Sequence, residues 1–246
     1  MKFFNPDNIK KVQLFTAPSG FRYGLIENIF YENVFDQLVK TFPDVKKFKF
    51  VDKPSGGGRK RFYVGPVYDA NKHQGCICHF DDLDPIWLNV VHESASAELI
   101  NLFQEVSGIK CNNVAVFGFT YGKEGCVQEP HVDGAVREDR SNAFSTIATL
   151  IYFNKDLNGK SGTCVYAPDR QTKLYQVQNM RNTLFFFEQH PDAWHGFPLM
   201  PAGEERRLVS LAYGQESQPS ILKNSLTHKL TCKLRYKSLA KKLLSI

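Results

Sequence analysis

A mainly β fold with flanking helices, organised around a double-stranded β-helix (jelly roll, cupin-like) core, is the architecture this 246-residue chain predicts. Three observations carry the prediction. Helical periodicity is confined to the stretch before residue 113 and to the last thirty residues, and between them about eight short β-type runs follow one another, separated by turn residues. That number of strands suits a double-sheet jelly roll. The length suits one domain with an ample core. We therefore read 1–246 as a single domain, with a helical and hairpin support region over 1–112, a core over 113–214 and a basic amphipathic helix over 215–246.

Taken in order, Tyr31 to Phe42 predicts a helix because Phe35, Leu38, Val39 and Phe42 fall on one face, and Pro43 ends it. Lys47 to Asp52 and Arg59 to Val64 predict a hairpin around Pro54-Ser55-Gly56-Gly57-Gly58, whose three glycines make a loose tip. Asp84-Pro85 opens a helical stretch carrying Trp87 and Leu88. It restarts near Ser94 or Ser96 and runs through Leu99, Ile100 and Phe103 to Gly108. The β-type runs are Val114 to Tyr121, His131 to Asp133, Thr146 to Phe153, Thr163 to Ala167, Lys173 to Val177, Asn182 to Glu188, Ala193 to Phe197 and Arg207 to Tyr213. The helices are expected to brace one sheet of the barrel.

Composition narrows the function classes. The chain is 42% hydrophobic and 13% aromatic, which excludes a disordered polymer. No apolar run approaches the roughly 18 residues a membrane helix needs, and the start of the chain does not read as a secretory signal; both point to a cytoplasmic protein. Cys76, Cys78, Cys111, Cys126, Cys164 and Cys232 have no disulfide-scaffold spacing and are expected as thiols. The net charge of +6 is local. Lys223, Lys229, Lys233, Arg235, Lys237, Lys241 and Lys242 follow the last acid, Glu216, and the remainder of the chain is close to neutral. Lysines every four residues opposite Leu230, Leu234, Tyr236, Leu239 and Leu243 describe an amphipathic helix that packs its leucines on the domain and offers a cationic stripe to an anionic surface.

The chemistry concentrates around His131-Val132-Asp133. On a β-strand side chains two apart share a face, so His131 and Asp133 can reach one metal ion. His195, in Trp194-His195-Gly196, supplies a third ligand from another strand. Two imidazoles and one carboxylate with open positions suit a non-haem Fe(II) centre. His190 competes with His195 but precedes Pro191 in a turn setting. Arg207 shares its strand face with Val209, Leu211 and Tyr213, so it is expected to point among apolar neighbours into the barrel, where a cation needs an anion; the alternation sends Arg206 outward with Ser210. A zinc site from His73, Cys76, Cys78 and His79 lacks paired spacing.

In this order the motifs resemble the 2-oxoglutarate- and Fe(II)-dependent dioxygenases of the prolyl 4-hydroxylase-like group. Tyr121-Gly-Lys-Glu-Gly-Cys-Val-Gln-Glu-Pro-His131-Val-Asp133 is similar to the iron strand and its lead-in. Leu150 to Asp156 resembles the next strand, and Asn182 to Phe187, Trp194-His195-Gly196 and Arg207 to Tyr213 resemble the closing half of the barrel. The resemblance covers roughly 113–214. It implies His131, Asp133 and His195 as iron ligands, Arg207 as the anchor for the far carboxylate of 2-oxoglutarate, whose planar fork a lysine does not reproduce, and Tyr121 and Tyr152 as hydroxyl partners of the cosubstrate. Val209 stands where the group often has serine or threonine.

The implied cofactor is Fe(II), with 2-oxoglutarate and O2 as cosubstrates and ascorbate as an auxiliary reductant. The implied reaction hydroxylates an unactivated C–H bond of a prolyl or other amino-acid residue, or of a small metabolite, with succinate and CO2 as coproducts. Asp133 favours hydroxylation over halogenation, since related halogenases carry a small residue there. The charged segment 134–145 and the glycine hairpin are expected to close over a small-molecule or peptide substrate. Nucleic-acid dealkylation would bring a second arginine and an asparagine around the anchor strand, and Arg207-Leu208-Val209-Ser210-Leu211 lacks them. Two alternatives are a non-oxygenase cupin-like metal protein, a zinc hydrolase or sensor, and a binding module docking through its basic tail.

Overall fold

The computed structural model of the chain describes residues 1–55, 58–69, 83–133, 146–214 and Ile221. The remainder of 215–246, the segment 134–145, the candidate zinc residues and the glycines at 56 and 57 lie outside these. Among the described residues four α-helices, α1 (Pro6–Ile9), α2 (Glu32–Lys40), α3 (Pro85–Ser94) and α4 (Ala97–Ser107), accompany twelve strands. These are β1 (Gln13–Thr16), β2 (Arg22–Glu27), β3 (Lys49–Ser55), β4 (Gly58–Asp69), β5 (Asn113–Gly122), β6 (Val127–His131), β7 (Ile147–Asn158), β8 (Cys164–Tyr166), β9 (Lys173–Gln176), β10 (Asn179–Glu188), β11 (His195–Phe197) and β12 (Arg206–Gly214).

Local chemistry accounts for the helix ends. Asp84 accepts from the backbone N–H of Ile86 ahead of Pro85, and Ser96 accepts from Leu99, so both helices open on an oxygen that satisfies an orphan donor. Gly108 closes α4 at φ 67°, a left-handed conformation that suits glycine. Among the described residues no helix is long and apolar enough to cross a membrane.

The strands form one antiparallel sheet in the order β1-β2-β10-β7-β12-β5-β4-β6-β11-β8-β9, with β3 on β4. It curls. β1 and β9 stand at opposite ends of that order, yet the rings of Phe15 and Tyr175 lie 5.2 Å apart, and Tyr23 bridges both. Curling gives an outer and an inner face. On the outer face Phe153, Phe119 and Phe42 surround the fully buried Trp87, whose indole N–H donates to the Thr41 carbonyl at 2.9 Å. This large core between helices and sheet also takes Val209, Leu211 and Tyr213 of β12. The inner face carries a second cluster that includes Tyr23, Leu25, Tyr152, Val165, Phe185, Phe187 and Leu208.

Three features depart from the sequence reading. β1 and β2 extend the large sheet where no strand was expected. The hairpin ladder runs on to the Ser55–Gly58 pair, so Gly58 belongs to a strand. The iron-strand candidate ends early: β6 stops at His131, and Val132 and Asp133 lie beyond it. His131 and Asp133 therefore do not meet through strand alternation.

Candidate metal centre

Strand register places the two histidines. His131 on β6 is the cross-strand partner of His195 on β11, and His195 in turn faces Val165 of β8. Directly opposed residues project from the same side of a sheet, and Val165 belongs to the inner cluster. Both imidazoles thus point into the barrel, 5% and 7% exposed, with ring centroids 4.2 Å apart. Gly196 follows because a Cβ there would collide with the carbonyl oxygen of Gln128 on β6.

The imidazoles present their Nε2 atoms inward. Nδ1 of His195 lies 2.9 Å from the Ala193 carbonyl and Nδ1 of His131 lies 3.2 Å from that of Glu129. A carbonyl only accepts, so each Nδ1 serves as a donor there and Nε2 is the ring nitrogen turned toward the interior. Burial and the neighbouring His131 press the pKa of His195 down to about 4, which keeps it neutral near pH 7. Asp133 completes the group: its Oδ1 lies 3.6 Å from each Nε2. The three ligand atoms fall within 4.8 Å of one another, an arrangement able to hold a metal ion. Partial burial opposes ionisation of Asp133, but the two histidines and the Gln189 amide outweigh it and hold its pKa well below the carboxylate range. His190 stays apart, accepting from the Asp192 backbone and stacking on Phe21.

The arginines reverse the sequence expectation. Arg206, not Arg207, enters the barrel. Arg206 is 5% exposed, its guanidinium lies 4.3 Å from the Phe197 ring and 5.5 Å from Tyr152, and Nη2 donates to the Thr163 hydroxyl at 2.9 Å. Its Nε is buried without a hydrogen-bond partner. Burial opposes its charge, and among the described residues no carboxylate pairs with it. Arg207 instead lies outside, bonded to Glu205 and over Phe42. The apolar face of β12 belongs to the helices: Tyr213 stacks on Phe103 of α4, and its hydroxyl donates to the Ser94 carbonyl. Alternation was sound; the assumption that the most apolar face lines the barrel was not.

Tyr121 is corrected with Arg207, its cross-strand partner. It belongs to the outer core and its hydroxyl donates to Glu205 at 3.1 Å. Tyr152 is inside and fully buried, its hydroxyl 2.5 Å from that of Thr163. Sequence reasoning missed Thr163, Thr120 and Gln128. Thr120 stands opposite Leu208 on the inner face, its hydroxyl buried and unpartnered. Gln128 brings its amide nitrogen 2.9 Å from Nε2 of His131. A readable signal existed for Thr120, since Phe117 and Phe119 claim the opposite face of β5.

No family model matches the chain, and no curated protein matches it. Solved structures do. The chain is similar to an oxidoreductase of the 2OG-Fe(II) oxygenase family from Burkholderia pseudomallei (13% identity, 80% of this chain and 87% of that one, TM-score 0.57). It is also similar to a prolyl-4-hydroxylase from Pseudomonas putida (11%, 79% and 92%, 0.55). A third likeness is to a prolyl hydroxylase from Trichoplax adhaerens, solved with a hypoxia inducible factor oxygen degradation domain peptide fragment (15%, 79% and 84%, 0.51). At these identities the likeness shows a shared fold: the curled β core is that of the 2-oxoglutarate oxygenases.

Proposed function

We propose that this chain, which has the fold of the 2-oxoglutarate oxygenases, is an Fe(II)- and 2-oxoglutarate-dependent dioxygenase that hydroxylates an unactivated C–H bond of a prolyl or other amino-acid residue, or of a small metabolite. The observation that carries the reading is the convergence of His131, Asp133 and His195 inside a barrel that also buries an arginine whose Nε has no partner. The donor set fits the metal, since two imidazoles and one carboxylate leave positions open for a chelating cosubstrate and dioxygen. The arginine fits the dicarboxylate. A buried guanidinium with an idle N–H lacks the anion that would justify its desolvation, and a carboxylate matches its planar fork.

His131, Asp133 and His195 would hold the iron, which when bound supplies the oxidising chemistry that inserts hydroxyl while 2-oxoglutarate loses CO2 to become succinate. The chain's residues bind and orient. Arg206, eleven positions after His195, takes the anchor role that the family resemblance had given to Arg207. Thr163 holds the guanidinium, and Tyr152 fixes Thr163 by accepting its backbone N–H at 2.9 Å. Thr120 reaches from the adjacent strand, which offsets the absence of a hydroxyl two positions after the arginine, where Leu208 stands. Phe187, 4.3 Å from His195, and Phe197 wall the site with apolar rings and limit water around it.

Likeness to prolyl hydroxylases supports an amino-acid acceptor. The test is anaerobic titration of the Fe(II)-loaded protein with 2-oxoglutarate, followed by succinate production in air. Binding and turnover that disappear in His131→Ala and His195→Ala are expected. Metal uptake without any 2-oxoglutarate binding would leave a cupin-like metal protein of another activity.

A further inference from the structure

The two histidines and the acid of the triad are positioned by different means. Each histidine has a backbone ladder beneath it and a carbonyl on its Nδ1. Asp133 has neither: it lies two residues past the end of β6, and its side chain is 37% exposed. Among the described residues, its outer oxygen is held by a side-chain amide. Nε2 of Gln189 donates to Oδ2 at 2.9 Å, while Oδ1 stays equidistant from both histidines.

Gln189 is itself well anchored. It directly follows β10, and its backbone N–H donates to the Thr146 carbonyl at 3.0 Å. The preceding Glu188, the last residue of that strand, is gripped by Arg22 through both carboxylate oxygens. The amide thus reaches Asp133 from a pinned strand end. We propose that Gln189 is the positioning residue of the metal centre: by occupying Oδ2 it leaves Asp133 a single oxygen with which to ligate. A carboxylate free to turn no longer keeps its ligating oxygen aimed between the two imidazoles, and the metal is held less tightly.

This inference rests on the metal-centre reading but not on oxygenase activity. It is tested by calorimetric titration of the chelator-treated full chain with Ni(II), which favours imidazole sites and keeps weak variants measurable. Gln189→Met keeps an unbranched side chain and removes the donor. We expect it to weaken Ni(II) binding tenfold to about a hundredfold, the usual cost of losing an outer partner of a ligand. In an Asp133→Ala background the same change should alter affinity less than about twofold, because coupled residues lose their effect together. Gln189→Leu serves as a second variant, with thermal melts reporting the fold of each. Unchanged affinity in the single variants, or an equal loss in both backgrounds, overturns the proposal. Wild-type protein that binds Ni(II) yet ignores 2-oxoglutarate defeats the oxygenase reading alone; wild-type protein that takes up no metal overturns both.

Discussion

Replacing Arg206 with methionine separates the two adjacent arginines and pits stability against binding. In the free protein Arg206 is a liability. Its buried Nε lacks a partner, at a cost of about 1–3 kcal/mol. Methionine removes that orphan while keeping an unbranched stem against Phe197 and Tyr152. The loss is one hydrogen bond to Thr163, worth about 1 kcal/mol net, and the Thr163 hydroxyl keeps its contact with Tyr152. The balance is a gain of roughly 0–2 kcal/mol, and a domain of this size shifts by about 2–4 °C per kcal/mol. Arg206→Met is therefore expected to melt at the same temperature as the parent or several degrees higher.

Binding should move the other way. Truncating one member of a buried charge pair costs about 2–5 kcal/mol, which is about 30-fold to several thousand-fold in affinity. Calorimetric titration of the Mn(II)-loaded protein with 2-oxoglutarate measures it. Arg207→Ala, whose side chain lies outside over Phe42, should bind 2-oxoglutarate within about twofold of the parent, and so should Tyr121→Phe. Full affinity in Arg206→Met, or a collapse in Arg207→Ala with the fold intact, would refute the assignment of the inner arginine.

Trp87→Ala empties the centre of the core between helices and sheet. A loss of about 3–5 kcal/mol is expected, and a melting temperature within a degree of the parent would contradict that placement. Gly196→Ala drives a methyl into the Gln128 carbonyl, so β11 must move away from β6; metal affinity should fall at least tenfold while the helical circular dichroism persists. Burial raises the Glu188 pKa, but the hydrogen bonds from Arg22 override this and lower it. A depressed folded-state pKa stabilises above the unfolded value and loses that contribution as pH falls through it. Glu188→Gln should therefore cost about 1 kcal/mol near pH 7 and progressively less as pH falls through the lowered folded-state value, readable from urea melts at neutral and acid pH; an equal cost throughout would exclude the ion pair.

The chain's own pattern determined the fold class and the three residues that converge. Period-two runs, helix caps at Asp84 and Ser96, and a His-x-Asp followed by a distant histidine are written in local order, where propensity and spacing act. Which side of β12 faces the barrel was decided only by tertiary structure. Both of its faces are buried, so the alternation marks two faces without naming them. Helices rich in Trp87, Phe103 and Phe35 need an apolar floor and take Val209, Leu211 and Tyr213, which leaves Arg206 and Leu208 for the interior. Asp133 teaches the same lesson. It meets the histidines because a glutamine 56 residues away holds it, and no window of sequence contains that contact.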